Sequence, residues 1–441
     1  MSSRQTLLRT ACAIALAGSA ISTPVAAAEI QFWHAFTGRL AELLDAQVAG
    51  FNDSQDAHSV VATPKGNYSE ALNAGIAAFR AGEQPTILQV FEVGTATMMN
   101  AKGAIKPVYE VMDDAGVEFD PSIYLAAVAG YYTTPDGKML SLPYNSSTPV
   151  LYMNRDALAE AGVEAGDAPA TWPEVERILT KLKDAGSECP MTTAWQSWIH
   201  LENLSAYHDV PFASEDNGFE SVETALSLNG EVQVAHVDML GRWASDGLFV
   251  YSGRRNEGGA RFRSGECALF TESSAGYAGV KAEAEFDFAM APLPYHPDVE
   301  GAPQNTIIGG ASLWVMAGKD DEEYAAAADF LNFLSTPEIQ AQWHQDTGYL
   351  PITTPAYELT KSQGYYDAEP GTDIAILQMT GKAPTENSKG LRLGNFDQIR
   401  GIIDEELEAV WQGDKDAQAA LDSAVERGDE LLRRFERTAG R

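Results

Sequence analysis

Basic residues are scarce in this sequence of 441 residues. It has 30 Lys and Arg against 63 Asp and Glu, which gives a formal net charge of -33 at neutral pH. Nucleic acids and anionic membranes are bound through surplus Lys and Arg that replace counterions, so neither is expected as a partner. An anionic ligand would have to be held by one or two local cations and by oriented neutral donors. The charge favours a soluble, monomeric protein.

Sequence motifs of the common enzyme classes are also missing. There is no Gly-x-Ser-x-Gly elbow, no Walker loop, no His-Glu-x-x-His motif and no dinucleotide-binding Gly-x-Gly-x-x-Gly opening a helix. The seven histidines are scattered and none has a neighbour at metal-ligand spacing, so neither a metal nor a cofactor is expected. Glu92 and Glu202 could be the acid and base of a glycosidase, but no catalytic motif surrounds either residue in the sequence. A binding protein is favoured, with an enzyme such as a phosphodiesterase as the alternative.

Long apolar runs are lacking as well, and no internal segment reaches the 18 continuous apolar residues of a membrane-spanning helix. Residues 1–28 have the pattern of a secretion signal. Arg4 and Arg9 precede an apolar stretch over residues 11–21, and three alanines at residues 26–28 offer a cleavage site. The sequence therefore predicts a signal peptide over residues 1–28 that is cleaved on export.

Cysteines number three, and Cys12 falls within the predicted signal. The mature chain would keep Cys189 and Cys267, which could form a disulfide in an oxidising compartment or remain two buried thiols. Spacing alone does not decide between them. No Cys-x-x-Cys motif is present, so the cysteines do not indicate a zinc site.

Short β-rich runs alternate with amphipathic helical stretches, which is typical of α/β architecture. Buried parallel strands are nearly all apolar, as the run over residues 86–90 is. The strand-helix order predicts a mainly parallel sheet. The predicted strands cover residues 29–34, 59–63 and 86–90, and the helices between them cover residues 38–51 and 68–81.

Two polar interruptions, at residues 142–149 and 273–276, break the α/β pattern. We interpret both as crossings between two lobes, so that neither lobe is contiguous. The C-terminal region is helical, with an apolar stripe over residues 399–410 and a second amphipathic helix over residues 417–435. The predicted division is residues 1–28 as signal peptide, 29–145 plus 276–365 as lobe I, and 146–275 plus 366–441 as lobe II.

Polar and aromatic residues gather at the predicted strand ends and interruptions. Ligands of open α/β sheets bind beyond the carboxyl ends of the strands, which makes these residues candidates for a binding site. Each has an alternative interpretation, because a lone aromatic commonly packs in a core, a glycine pair makes a turn and a serine caps a helix. The candidates are Tyr68, Glu92, Ser146, Ser147, Trp195, Trp198, Ser273, Ser274, Gly309, Gly310 and Tyr349.

Two stretches, AAAADFLNFLSTPE at residues 325–338 and TGYLPI at residues 347–352, resemble the family 1 extracellular solute-binding proteins of ABC importers. Four narrower stretches resemble the members of that family that bind phosphorylated glycerol. These are KGNY at residues 65–68, LQVFEVGTATMM at 88–99, NTIIGGASLW at 305–314 and KGLRLGN at 389–395. The resemblance covers essentially the whole mature chain.

The resemblance implies the two-lobed type II periplasmic-binding-protein fold, with a mainly parallel sheet flanked by helices in each lobe. It implies a periplasmic, non-enzymatic subunit that captures sn-glycerol-3-phosphate or glycerophosphodiesters such as glycerophosphocholine. The lobes would close on the ligand about a hinge, and the closed form would deliver it to the membrane permease. The ligand positions carried over are Tyr68, Glu92, Ser147, Trp195, Trp198, Ser273, Gly310, Tyr349 and Arg400.

The resemblance also implies roles for these residues. Arg400 would offer a planar fork to the phosphate, and Glu92 would accept from the glycerol hydroxyls. Serine and tyrosine hydroxyls and the Gly310 N–H would donate, while Trp195 and Trp198 would cover the carbon chain or a choline cation. The alternative for Arg400 is an ordinary salt bridge on the C-terminal helix, and the alternative ligand is a sugar.

Overall fold

The computed structural model describes residues 28–164 and 168–439, and these residues contain nine β-strands. The strands are β1 Ala28–His34, β2 His58–Pro64, β3 Ile87–Phe91, β4 Leu142–Ser147, β5 Pro149–Asn154, β6 Cys189–Thr193, β7 Cys267–Ser273, β8 Phe288–Ala291 and β9 Gly309–Val315. Five of them form a sheet in the order β2-β1-β3-β9-β4, and four form a second sheet in the order β6-β7-β5-β8. The chain is therefore built on two separate sheets.

Helices occupy most of the segments between the strands and all of the C-terminal region. They are α1 Gly38–Ser54, α2 Tyr68–Ala81, α3 Thr95–Met99, α4 Val108–Asp114, α5 Ala126–Ala129, α6 Arg155–Glu160, α7 Trp172–Asp184, α8 Leu204–Tyr207, α9 Ser214–Gly218, α10 Glu231–Ser245, α11 Gly258–Arg263, α12 Tyr277–Glu283, α13 Asp321–Leu334, α14 Pro337–Thr347, α15 Thr354–Ser362, α16 Tyr365–Ala368, α17 Ile374–Thr380, α18 Phe396–Trp411 and α19 Ala417–Ala439. Three single turns are 3-10 helices, at Glu92–Gly94, Pro121–Ile123 and Ser274–Gly276, and Trp198–Asn203 is a π-helix.

Helix α2 shows how local sequence sets an element, and its bounds agree with the predicted helix over residues 68–81. Asn67 accepts the backbone N–H of Glu70, and the Glu70 carboxylate accepts the backbone N–H of Asn67 at 2.8 Å. This capping box satisfies two N–H groups that the first helical turn leaves free. Gly82 ends the helix with a left-handed φ of 74°, which glycine adopts without steric cost.

One strand of each sheet runs against the others. In the first sheet, β1 pairs with β2 and β3 in parallel and β9 is antiparallel to both β3 and β4, so four of the five strands point the same way. In the second sheet β6 and β7 are parallel and β5 is antiparallel to β7 and to β8, so three of the four strands point the same way. The sheets are therefore mainly parallel in strand direction, as predicted. The exceptions, β5 and β9, are the strands by which the chain crosses between the sheets, and the N-terminal strand-helix-strand series did not predict their direction.

The first predicted crossing, at residues 142–149, coincides with the step between the two sheets. Strand β4 belongs to the first sheet, β5 belongs to the second, and Thr148 alone separates them. The second interruption, at residues 273–276, is a 3-10 turn after which the chain adds β8 to the second sheet before it returns at β9. Strand β8 therefore departs from the predicted division, which assigned residues 276–365 to lobe I.

Helices flank both sheets. In the first sheet's core, Phe32 of β1 packs against Phe330 of α13 with ring centroids 6.0 Å apart. In the second, Trp172 of α7 packs on Trp243 of α10 at 6.2 Å within a cluster that includes Met191 of β6. Burial of these aromatic and aliphatic faces is the main favourable term that holds helices on sheets.

Helix α18 connects the two halves of the molecule. Ile399 and Ile403, from the predicted apolar stripe, are buried in a cluster with Leu88 of β3 and Trp314 of β9. At its other end Trp411 packs edge-on against Phe249, with centroids 5.6 Å apart, on the side of the second sheet. The helix therefore lies between the sheets, and its polar side chains reach the cleft.

The described residues contain no helix that is both long enough and apolar enough to cross a membrane. The predicted signal peptide, residues 1–28, lies outside the described residues apart from Ala28, where β1 begins.

The two cysteines of the mature chain form a disulfide, which decides the alternative that the sequence left open. Cys189 of β6 and Cys267 of β7 are direct partners in the parallel register, with sulfurs 2.04 Å apart. Both are fully buried. The bond joins residues 78 positions apart in the sequence and links neighbouring strands of the second sheet covalently.

Replacing both cysteines, Cys189→Ala with Cys267→Ala, is expected to lower the free energy of unfolding by about 2–4 kcal/mol. A cross-link over a long loop restricts the unfolded chain and so destabilises it. Urea unfolding of the double variant and of the oxidised wild type measures the difference. Wild-type protein whose disulfide is reduced before the titration is the control and should have the stability of the variant. Equal unfolding curves for oxidised protein and double variant would contradict the stabilising role.

Candidate functional site

Side chains from many separate segments meet in one cavity between the two sheets, with about 410 Å³ of empty volume. All nine positions predicted from the resemblance line it, and Phe91 and Gly309 complete the wall. The lining residues are Tyr68, Phe91, Glu92, Ser147, Trp195, Trp198, Ser273, Gly309, Gly310, Tyr349 and Arg400.

The glycine pair at the start of β9 permits close packing of the cavity wall. Gly310 has a left-handed φ of 111°, and a Cβ there would lie 1.9 Å from the Asn145 carbonyl oxygen of β4. A Cβ on Gly309 would lie 2.5 Å from the Trp198 ring. Neither position tolerates a side chain without displacement of the neighbouring strand or ring. The Gly310 N–H, expected to be free for a ligand, donates to Glu92 Oε2 at 3.1 Å.

Two tyrosines present neutral hydroxyls to the cavity. Tyr68 stacks on Phe91 with centroids 5.3 Å apart, and its hydroxyl accepts the Asn145 amide N–H at 3.0 Å. The Tyr68 hydroxyl also interacts with the Tyr349 hydroxyl, and a hydrogen bond between the two leaves one proton of the pair available to a ligand. Burial raises the pKa of Tyr349 to about 12 and that of Tyr68 well above its usual value. Both hydroxyls therefore stay protonated at neutral pH and can donate.

Adjacent serines at the first crossing have different environments. Ser147 lines the cavity, and its hydroxyl makes no hydrogen bond to any described residue. The Ser146 hydroxyl is sealed from the cavity and from solvent. Successive side chains of a strand point to opposite faces, which explains the difference. Ser273 accepts the Ala275 N–H at 3.1 Å and keeps its own proton free for a ligand.

The two tryptophans form the wall at the π-helix. Trp198 is the first residue of that helix, and only 4% of its surface is exposed. Trp195 is partly exposed, has a left-handed φ of 44°, and lies 6.5 Å from the Tyr68 ring. The Arg255 guanidinium lies 5.8 Å from the Trp195 ring centroid. A cation therefore already occupies one side of the ring that was expected to cover a choline group.

Arg400 is the most constrained side chain of the cavity. Its Nε and Nη2 donate to the two oxygens of Glu202, at 2.8 and 2.7 Å, and Nη2 also donates to Glu92 at 2.7 Å. The predicted fork to a phosphate is thus directed at carboxylates, and the salt-bridge alternative is what the structure shows. The partners come from distant segments and not from α18 itself. A buried guanidinium needs such counter-charges, because desolvation of an unpaired ion is costly.

Burial dominates the electrostatics around Arg400. It raises the pKa of Glu202, although Arg400 opposes the shift, and it raises the pKa of Asp404 to about 7. Burial alone would lower the pKa of Arg400, but the attraction of Glu202 and Glu92 outweighs it and raises that pKa. The guanidinium is therefore permanently charged, whereas the carboxyl groups of Glu202 and Asp404 can gain or lose a proton.

Glu202 is a site residue whose role the sequence did not reveal. It was considered only as a glycosidase acid or base with Glu92, yet both carboxylates hold the same guanidinium. The signal that could have found it is the requirement that a buried Arg have acidic partners. Its placement depends on the π-helix, which no pattern in the sequence predicted.

Four of the scattered histidines, three of them buried, form a hydrogen-bonded chain behind the π-helix. His236 bonds His200 at 3.1 Å and His296 at 3.0 Å through the rings, and the backbone N–H of His296 donates to His208 at 2.8 Å. Burial lowers the pKa of His200 to about 3 and that of His208 to about 4, so these rings are neutral. No group in the described part of the chain has the geometry of a metal site.

Removing the guanidinium should destabilise the protein in a pH-dependent way. Arg400→Ala is expected to lower the free energy of unfolding by about 3–5 kcal/mol at pH 7, because it leaves buried carboxylates unpaired. Their folded-state pKa would then lie above the unfolded value, so the loss shrinks as the pH falls toward 5. Urea unfolding at both pH values measures the change.

Arg427→Ala is the matched control for that variant. Arg427 also pairs with two carboxylates, Glu405 and Glu406, but its side chain is 42% exposed. Water screens the Arg427 guanidinium, and the buried Glu406 keeps Lys415 as a second cation, so the loss should cost below about 1 kcal/mol. Equal losses in the two variants, or an Arg400→Ala loss that does not change with pH, would contradict the electrostatic account.

The family model described as bacterial extracellular solute-binding protein matches residues 46–370. The sn-glycerol-3-phosphate-binding periplasmic protein UgpB of Yersinia pseudotuberculosis is 51% identical over 424 residues, which cover 96% of both chains. The protein of the same name from Salmonella typhimurium is 51% identical over 440 residues, covering 100% of this chain and 99% of the relative.

Solved structures resemble the fold. UgpB from Mycobacterium tuberculosis in complex with glycerophosphocholine superposes with a TM-score of 0.78 at 22% identity, covering 92% of this chain and 98% of that one. A maltose-bound MalE3 from T. maritima gives 0.74 at 18% identity, with 92% and 100% covered. These likenesses confirm the predicted two-lobed α/β fold. Together with the family match and the full-length identity, they show that this chain belongs to the bacterial extracellular solute-binding protein family.

Proposed function

We propose that this chain is the periplasmic substrate-binding subunit of an ABC importer and that it captures small phosphorylated glycerol compounds. The observation that carries the proposal is the cavity. Nine residues predicted from the resemblance to phosphorylated-glycerol binders, although dispersed between residues 68 and 400, line a single space of about 410 Å³. The names of the relatives that are 51% identical over the whole chain support the same ligand class.

Neutral donors suit a phosphate in this strongly acidic protein. The hydroxyls of Ser147, Ser273 and Tyr349 can each donate to a phosphate oxygen. Arg400 adds a permanent positive charge, and its Nη1 makes no hydrogen bond to a described residue. Hydrogen bonds to an ionised acceptor are roughly twice as strong as neutral ones, so a few local donors can outweigh an unfavourable distant field.

A second chamber supports the inclusion of glycerophosphodiesters. It has about 780 Å³ of empty volume and shares Tyr68, Trp195, Ser273 and Tyr349 with the cavity. The alcohol of a diester could extend into it beyond the phosphate. Glu272 also lines this chamber, and burial raises its pKa to about 8. A cationic alcohol such as choline would favour the ionised form of this carboxyl.

Hinge closure is the proposed mechanism. Glu92 follows β3 of the first sheet and Ser273 ends β7 of the second, while Arg400 comes from α18 between them. A ligand that contacts residues from both sheets stabilises the arrangement in which they are close together. We propose that this closed monomer docks on the permease, and that residues 1–28 direct the chain to the periplasm and are cleaved. We propose the predicted division into two lobes with one change, the assignment of β8 to lobe II.

A sugar is the second candidate ligand. The parallel stack of Tyr68 on Phe91 and the carboxylate of Glu92 are groups that sugar sites use, one for ring faces and one for hydroxyls. Phosphate-binding donors and the full-length relatives favour the phosphorylated ligand.

Calorimetry on the chain without residues 1–28 tests the ligand class. We expect sn-glycerol-3-phosphate and glycerophosphocholine to bind. Maltose lacks the phosphate and inorganic phosphate lacks the glycerol, so both should bind far more weakly or not at all. Binding of maltose with neither glycerol compound would contradict the proposal and favour the sugar site. Hydrolysis of glycerophosphocholine to choline and glycerol phosphate, or to glycerol and phosphocholine, would show an enzyme instead.

Ser147→Ala tests the donor role of the cavity hydroxyls. Loss of a hydrogen bond to a charged group costs about 1.5–3 kcal/mol, so the affinity for sn-glycerol-3-phosphate should fall by roughly 10–150-fold. Ser146→Ala is the control, since the neighbouring hydroxyl is sealed away from the cavity and the affinity should not change. Calorimetric titration of both variants measures the effect. Similar affinities for the two variants would rule out Ser147 as a donor.

A further inference from the structure

The carboxyl groups around Arg400 outnumber the positive charge available to them. Glu92 and Glu202 bind the guanidinium directly, at 2.7–2.8 Å. Asp404 lies one turn further along α18, and its Oδ1 has no hydrogen-bond partner among the described residues. All four side chains belong to residues that are at most 8% exposed. Three carboxyl groups thus share one guanidinium in a buried space.

Neighbouring cations do not correct this imbalance. Arg254 faces Asp404, but its Nε and Nη2 donate to both oxygens of Glu408, at 2.7 and 2.6 Å. Arg255 donates to Ser69 at 3.0 Å and lies at the second chamber. Each of these guanidinium groups therefore already has a polar partner.

The other titratable groups that face the cluster are uncharged near neutral pH. The tyrosines near Glu92 and Glu202 keep their protons because burial raises their pKa, and Tyr251 beside Asp404 behaves in the same way. His200 follows Trp198 on the π-helix and is neutral because its pKa is about 3. Glu272 faces the second chamber and not the cavity. The tyrosines near the two glutamates are Tyr68, Tyr131, Tyr132 and Tyr349.

A phosphate placed in this cavity adds negative charge where carboxylates are already in excess. Buried anions without a counter-charge take up a proton in preference to remaining ionised. On the proposed function, we infer that the anionic ligand is bound together with a proton, which is held on the carboxyl groups of Asp404 and Glu202. The chain then captures the phosphorylated compound as ligand plus proton, and its affinity falls as the pH rises.

The sign and the pH window follow from linkage. In the free protein burial already raises the pKa of Asp404 to about 7, and that of Glu202 is raised as well. The charge of the ligand raises both further, so the bound state holds more protons than the free state at a pH above about 7. Below that pH Asp404 is protonated in both states, and its contribution to the pH dependence of the affinity levels off. Above it, uptake of one proton weakens binding by up to tenfold per pH unit.

Calorimetry with sn-glycerol-3-phosphate at pH 7.5–8.5 tests the inference, in buffers that differ in their heat of ionisation. The second pKa of a phosphate monoester is about 6, so the free ligand is already a dianion there. We expect an uptake of about 0.5–1 proton and an affinity that falls several-fold to tenfold across this range. A binding heat that does not depend on the buffer, with constant affinity, would overturn the inference while leaving the proposed function intact.

Two isosteric variants locate the proton. Asp404→Asn and Glu202→Gln cannot titrate, so at least one of them should reduce the uptake and flatten the pH dependence. Uptake that is unchanged in both variants would place the proton on the phosphate and overturn the assignment. Glu405→Gln, an exposed neighbour on α18 that pairs with Arg427, is the matched control and should behave as wild type. Absence of binding at every pH would overturn the proposed function, and the inference with it.

Discussion

The buried ion cluster at Arg400 is the interaction on which the site depends. One guanidinium joins α18 to the turn after β3 through Glu92 and to the π-helix through Glu202. These three segments come from different parts of the chain, and each contributes one residue to the cavity wall, Arg400, Glu92 and Trp198. Since neither carboxylate could be buried without the guanidinium, the cluster fixes how the segments are arranged as well as the charge that a ligand meets. The position of Trp198 and the use of the Gly310 N–H both follow from it.

Local sequence predicted the elements whose causes are local. The helix beginning at Tyr68 agrees residue by residue, because its capping box and its terminal glycine lie within the segment itself. The nine binding positions came from a family resemblance, and they meet in one cavity. The predicted apolar stripe on α18 is the face that packs between the sheets.

Long-range relations could not be predicted in the same way. Arg400 is separated from Glu202 by 198 positions and from Glu92 by 308, and nothing near Arg400 distinguishes those carboxylates from the many others in an acidic chain. The reversed direction of β5 and β9, where the chain crosses between the sheets, was not predicted, because periodicity gives burial and not orientation. The sequence did not decide whether the two cysteines form a disulfide, because the distance between them depends on the pairing of β6 with β7.

The acidity of the chain and the anionic ligand are compatible because recognition is local. Charges farther apart than a Debye length of about 8–10 Å are largely screened, whereas hydroxyl protons and a buried guanidinium act at contact distance. The crystal structure of the mature chain with sn-glycerol-3-phosphate tests this central claim most directly. The account predicts the phosphate within hydrogen-bonding distance of Ser147 and Arg400, inside the cavity between the two sheets. A ligand bound elsewhere, or a phosphate that contacts neither residue, would contradict it.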